Sequence, residues 1–97
     1  MSNFTLSRRE SESRGIYELQ IEGSVETAVL TYGIGDDGLM IADHTGVPKA
    51  MSGKGIGTWL LAALFMDAKR ERRKVDPVCP FVKAKGERNP EWKKHLI

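Results

Sequence analysis

At 97 residues, with 40% hydrophobic and 29% charged side chains, the chain has material for one small domain (1–97) with a modest core. A single cysteine, Cys79, excludes an internal disulfide framework, and no apolar run reaches the ~20 residues that span a bilayer. The net charge of +2 is uneven, since residues 1–65 carry five basic and eight acidic side chains and residues 66–97 carry ten and five. These features, with no apolar signal segment at the start, lead to the expectation of a soluble cytoplasmic protein that does not engage a membrane.

Residues 1–14 are polar, and Ser7–Arg14 contain no apolar side chain. They read as a mobile arm or an edge segment. Tyr17, Leu19 and Ile21 then alternate with Glu18, Gln20 and Glu22, the pattern of a half-buried strand. After the Gly23-Ser24 turn, Val25 to Ile34 reads as a second strand, with Ala28, Leu30, Tyr32 and Ile34 on one face. The short separation predicts an antiparallel hairpin. Gly35-Asp36-Asp37-Gly38 is a turn. Leu39-Met40-Ile41-Ala42 is an unbroken apolar run, as for a central strand covered on both faces. It leads into Asp43-His44-Thr45-Gly46-Val47-Pro48, a polar string where a site is expected.

Ser52-Gly53-Lys54-Gly55-Ile56-Gly57-Thr58 follows, a glycine turn running into the most apolar segment of the chain. A helix is expected from about Gly57 to Arg73. Its first N–H groups would face the turn, which suits a phosphate. Trp59, Leu60, Leu61, Leu64, Phe65 and Met66 make its first half apolar nearly all round, so a later segment should cover it. The cations Lys69, Arg70, Arg72, Arg73 and Lys74 suit the negative end of that helix. Lys74–Cys79 reads as a final strand, parallel to Leu39–Ala42 because a helix connects them. Pro77 marks the place where the two diverge. Pro80 opens a second helix, which Asn89-Pro90 ends. Trp92 and Leu96 of the tail are candidates to cover the apolar helix.

The glycine turn matches neither a Walker A loop nor a dinucleotide G-x-G-x-x-G fingerprint. Cys79 reads either as a small packing residue or as a functional thiol. His44 reads either as a structural hydrogen-bond partner or as a proton-transfer group. No metal-ligand spacing exists among His44, Cys79 and His95.

The ordered set His44-Thr45-Gly46-Val47-Pro48, Gly53-Lys54-Gly55-Ile56-Gly57, Cys79-Pro80-Phe81-Val82 and Asn89-Pro90-Glu91-Trp92 resembles the GNAT superfamily of N-acetyltransferases. It is most similar to its minimal, single-domain branch, over roughly residues 16–92. The resemblance implies an α/β (α+β) fold, with a mixed, mostly antiparallel sheet, a central buried helix and a splayed parallel strand pair. It implies acetyl-CoA as co-substrate, with no metal, and acetyl transfer to an amine on a protein or a small molecule. Ser52, Gly53, Lys54, Gly55, Ile56, Gly57 and Thr58 would hold the pyrophosphate. Thr45, Gly46, Val47 and Asn89 would add cofactor contacts, and His44 and Cys79 would be the catalytic pair. A monomer or weak dimer is expected. Three positions depart from the family pattern. Ser52 replaces a usual Arg or Gln, Gly46 a frequent Glu, and Lys85-Gly86 occupy a place where an aromatic residue is common. Two other readings remain: a CoA- or acyl-CoA-binding protein without turnover, and, ranked last, a nucleic-acid module using the basic C-terminal third.

Overall fold

The computed structural model describes residues 3–97. Five strands lie in one sheet in the order of the chain: β1 (Phe4–Glu10), β2 (Arg14–Ile21), β3 (Thr27–Ile34), β4 (Met40–Gly46) and β5 (Val75–Pro77). The first three pairings are antiparallel, while β4 and β5 are parallel. Helix α1 (Ile56–Glu71) makes the crossover between the parallel strands, and α2 (Pro80–Arg88) and the short α3 (Pro90–Lys93) follow β5.

The alternation in β2 and β3 has the expected result. Tyr17, Leu19, Ala28, Leu30 and Tyr32 are buried together with Met40 and Ala42 of β4. They meet Leu60, Leu61, Leu64, Phe65 and Ala68 of α1, and this layer forms the core. Burying each of the Leu, Met and Phe side chains contributes about 1.5–3 kcal/mol relative to leaving it exposed. Among the described residues no helix covers the other face of the sheet, which carries Arg9, Arg14, Ile16, Glu18, Val29, Thr31 and Ile41. An antiparallel sheet tolerates one wet face.

The structure decides one open reading, in favour of an edge segment, and changes three expectations. The polar N-terminal segment is a formed edge strand, β1, in continuous register with β2. Its Arg8 faces the core side, where it is neutralised by Glu71, Asp67 and Glu10. Ile41 is only half-buried, so β4 is covered on one face and not on both. Helix α1 begins one residue earlier and ends two residues earlier than its pattern suggests. Its cover is also partial. Trp92 stacks on Phe65 at 5.0 Å and Leu96 packs on the core, yet Trp59 stays 53% and Met66 68% exposed. The final strand is shorter than Lys74–Cys79, because Pro77 supplies no N–H to continue it.

The tail closes the other side of β5. The Val75 N–H donates to the His95 carbonyl at 2.7 Å, and the Ile97 N–H donates to the Val75 carbonyl at 3.1 Å. A single parallel bridge joins Val75 to Leu96. No helix among the described residues is long and apolar enough to cross a membrane.

Candidate active site

The parallel strands pair only over Met40–Val75, Ile41–Asp76 and Ala42–Pro77. One more bond follows, from the Cys79 N–H to the Ala42 carbonyl at 2.8 Å. Past it β5 has ended, while β4 runs on to Gly46. Val78 turns its N–H back to the Asp76 carbonyl at 3.0 Å, and Cys79 becomes the residue from which α2 starts. The parting inferred from Pro77 is therefore present, and it leaves the stretch Asp43–Gly46 without a β5 partner.

Beside this parting lies the glycine turn. Gly53 and Gly55 have φ of +78° and +72°, a left-handed conformation that disfavours any side chain. A Cβ built on either would meet nothing within 4 Å, so their backbone is open to a ligand. Gly55 starts α1 with no side-chain cap, which leaves the first N–H groups of the helix aimed outward. Ser52 does not replace a charged side chain here, because its hydroxyl donates to the Lys49 carbonyl at 2.7 Å. Gly57 is needed for a different reason. A Cβ there would lie 2.8 Å from Phe81 of α2, so the absence of a side chain lets α2 close against the start of α1.

Val47, Ser52, Gly53, Gly55, Ile56, Gly57 and Thr58 line one cleft of ≈310 Å³, together with Met51, Phe81 and Lys85. Lys54 sits between two of its glycines, and Thr45 and Gly46 precede Val47 on the same chain segment. Phe81 is the wall that sequence reasoning missed. Its signal was the pairing of Gly57, a helix-start position without a side chain, with an aromatic opening the next helix, which spacing alone does not reveal. Asn89 is not brought to this cleft. Its side-chain oxygen accepts the N–H groups of Glu91 and Trp92, at 3.0 and 3.3 Å, and so caps α3.

His44 and Cys79 end up on opposite faces of the sheet. The cause is a β-bulge: Thr31 pairs with His44 but Tyr32 pairs with Ala42, so Asp43 is an extra residue in β4. Asp43 and His44 therefore both point to the uncovered face. Asp43 accepts from the Thr31 hydroxyl at 2.7 Å and from Arg14 at 3.0 Å. The His44 ring lies over Gly46, where a Cβ would come within 3.1 Å of Nε2. A side chain at position 46 would crowd that ring, which gives the glycine in place of glutamate a physical setting.

Thr45, by contrast, pairs with Leu30 and faces the helix layer. Its Oγ1 accepts from the Cys79 thiol at 3.6 Å. Cys79 is 8% exposed. Burial pushes its thiol up, but the N–H groups of Val82 and Phe81 at the start of α2 and the Thr45 hydroxyl outweigh burial. The net result lies below the ordinary thiol value, as at other helix N-termini.

This sheet, with its parting parallel strands and the glycine turn between them, is matched at the sequence level. The family model for GCN5-related N-acetyl-transferase covers residues 16–96, and the chain belongs to that family. No curated protein matches the chain.

Proposed function

We propose that the protein is an acetyl-CoA-dependent N-acetyltransferase of the minimal, single-domain type, which transfers the acetyl group to an amine. The observation that carries this reading is the parting of β4 and β5 directly beside an uncapped helix start with two left-handed glycines. The donor set fits a diphosphate: backbone N–H groups at a helix N-terminus, with Lys85 and Lys54 supplying cations. Acetyl-CoA supplies an activated acyl group. The free edge of β4 at Thr45–Val47 offers backbone groups to the arm that carries it, between the parted strands.

The remaining chemistry falls to two side chains on two faces. His44 takes a proton from the acceptor nitrogen as the nitrogen–carbon bond forms. Cys79 gives a proton to the departing sulfur as the carbon–sulfur bond breaks, and solvent restores both groups. The lowered thiol value of Cys79 suits this donor role, because it makes the thiol a better acid. A direct transfer of this kind needs no contact between His44 and Cys79, in keeping with their separation by the sheet.

Isothermal titration with acetyl-CoA tests the foundation. Binding at sub-millimolar concentration is expected, and its absence would sink the proposal. Thiol release in the presence of a broad panel of amines then separates a transferase from a protein that binds CoA without turnover.

A further inference from the structure

The uncovered sheet face holds a second depression, of ≈400 Å³, lined by Arg9, Glu10, Arg14, Ile16 and Thr31 among others. Its position follows from register. Arg9 pairs with Ile16, Ile16 with Thr31, and Thr31 with His44. These four residues form one row across β1, β2, β3 and β4, all on the same face. Neighbouring strands lie about 4.8 Å apart, so a small molecule resting on Ile16 and Thr31 is one strand from His44.

The charges in the depression are arranged unequally. Glu10 is spent: its Oε1 accepts from Arg8, Arg73 and Tyr32, at 2.7, 2.9 and 2.7 Å. Arg9 and Arg14 are not. Arg9 gives one N–H bond to Glu18 and Arg14 one to Asp43, among the described residues. A guanidinium carries five N–H donors in a planar fork that fits a carboxylate. Arg9 and Arg14 line the depression, while their partners Glu18 and Asp43 stand outside its lining. Asp43 lies toward His44, on the bulge. Arg14 touches Asp43 at 3.0 Å, so the face offers the remaining guanidinium donors of Arg9 and Arg14 on one side of that pair and the Asp43 carboxylate, toward His44, on the other, with apolar Ile16 as floor between β1 and β3.

We propose that the acceptor is an amine that also carries a carboxylate, held on the uncovered face with its carboxylate against Arg14 and Arg9 and its nitrogen over Thr31 toward Asp43 and His44. This rests on the acetyltransferase reading and adds to it a class of acceptor and the residues that select it. Arg9 and Arg14 are positioning residues: they bind the remote end of the acceptor and place its nitrogen.

The test uses the full chain, labelled with nitrogen-15. Its probes are 4-aminobutanoate, 6-aminohexanoate and L-lysine, each beside its neutral amide. Saturating shifts are expected at the Gly15, Ile16 and Thr31 amides with the acids, and at least tenfold weaker binding with the amides. The double variant Arg9→Gln/Arg14→Gln should lower the acids to the level of the amides and leave acetyl-CoA binding unchanged. Absence of shifts with all three acids, equal binding of acid and amide, or indifference to the double variant would each overturn the proposal. Calorimetry with acetyl-CoA separates the two layers. If acetyl-CoA binds and amines turn over, yet amides serve as well as acids, this acceptor site fails and the transferase reading stands. If acids bind the face but acetyl-CoA does not bind, the transferase reading fails and takes the acceptor assignment with it.

Discussion

Gly15 is a glycine for reasons no strand pattern contains. A Cβ at that position would lie 2.0 Å from the Tyr32 ring, its cross-strand partner, and 2.3 Å from the phenol oxygen. That phenol is anchored between Arg8 and Glu10 and, pushed up mainly by burial to about 12, it stays protonated as a donor. It has no room to retreat. Gly15→Ala is expected to destabilise the fold by about 2–3 kcal/mol, the upper range for overpacking, and urea unfolding will measure it. The site residues call for a different readout. Cys79→Ala and His44→Gln should each lower kcat by about 100-fold or more while acetyl-CoA affinity, read by calorimetry, changes little. Sequence reasoning named both residues, because each ends a strand beside the other in the order of motifs. It did not place them on opposite faces. That depends on a single unpaired residue, Asp43, which a period-two pattern cannot register.

Most elements were legible where side-chain alternation was clean, as in β2 and β3, or where Pro80, Asn89 and Pro90 punctuate the chain. β1 was legible only as one of two readings, an arm or an edge segment, because Arg8 takes a core-side position in the alternation of Phe4 and Leu6. A charge there reads as solvent exposure unless its counter-ions Asp67 and Glu71, 59 and 63 residues away in α1, are known. The far end of α1 was similarly misread. The basic pair Arg72-Arg73 looks like continuing helix, yet Arg72 adopts φ 57°, ψ 46° and ends it. The Arg73 N–H then reaches the Ala68 carbonyl at 2.8 Å, a closing bond of the Schellman type. A left-handed residue with a side chain costs about 1–2 kcal/mol, and glycine removes that cost while losing some to unfolded-chain entropy. Arg72→Gly should therefore stabilise the protein by roughly 0.5–1 kcal/mol, visible as a higher urea midpoint with an unchanged slope.

At the scale of the molecule, the end of α1 is tied to the sheet edge by charge. Arg8 donates to Glu71, Asp67, Glu10 and Tyr32, and Arg73 donates to Glu10 and Glu71. Tyr17 donates to Asp67 at 2.8 Å. The Arg8 guanidinium is the main cause that holds Glu71 down at about 2, below its ordinary 4.5. Since the folded value is the lower one, this contribution is complete above about pH 4.5 and is lost as pH falls from there toward 2. The melting temperature should drop across that window. Arg8→Met should lower it at pH 7 and flatten the acid limb, as calorimetry in a series of buffers will show. How the two halves of the chain meet was only partly legible. The parallel pair and its divergence follow from the crossover helix and Pro77. The bare outer face of the sheet, and the depression on it, depend on which elements fail to return, and no local pattern encodes that.

The bulge at Asp43 has one more implication, which concerns parity. Along a strand each position is odd or even, and substitution changes the chemistry of a position but never its parity. Removing Asp43 would restore the plain alternation of β4 and leave His44 outward, opposite Thr31, and Thr45 inward, beside Cys79. The bulge thus lets one strand carry two successive side chains to the uncovered face without turning the residues that follow. Circular dichroism of the deletion variant should keep its sheet signal. The Cys79 thiol, still beside the Thr45 hydroxyl, should keep its titration, while Arg14 and the Thr31 hydroxyl lose their carboxylate partner.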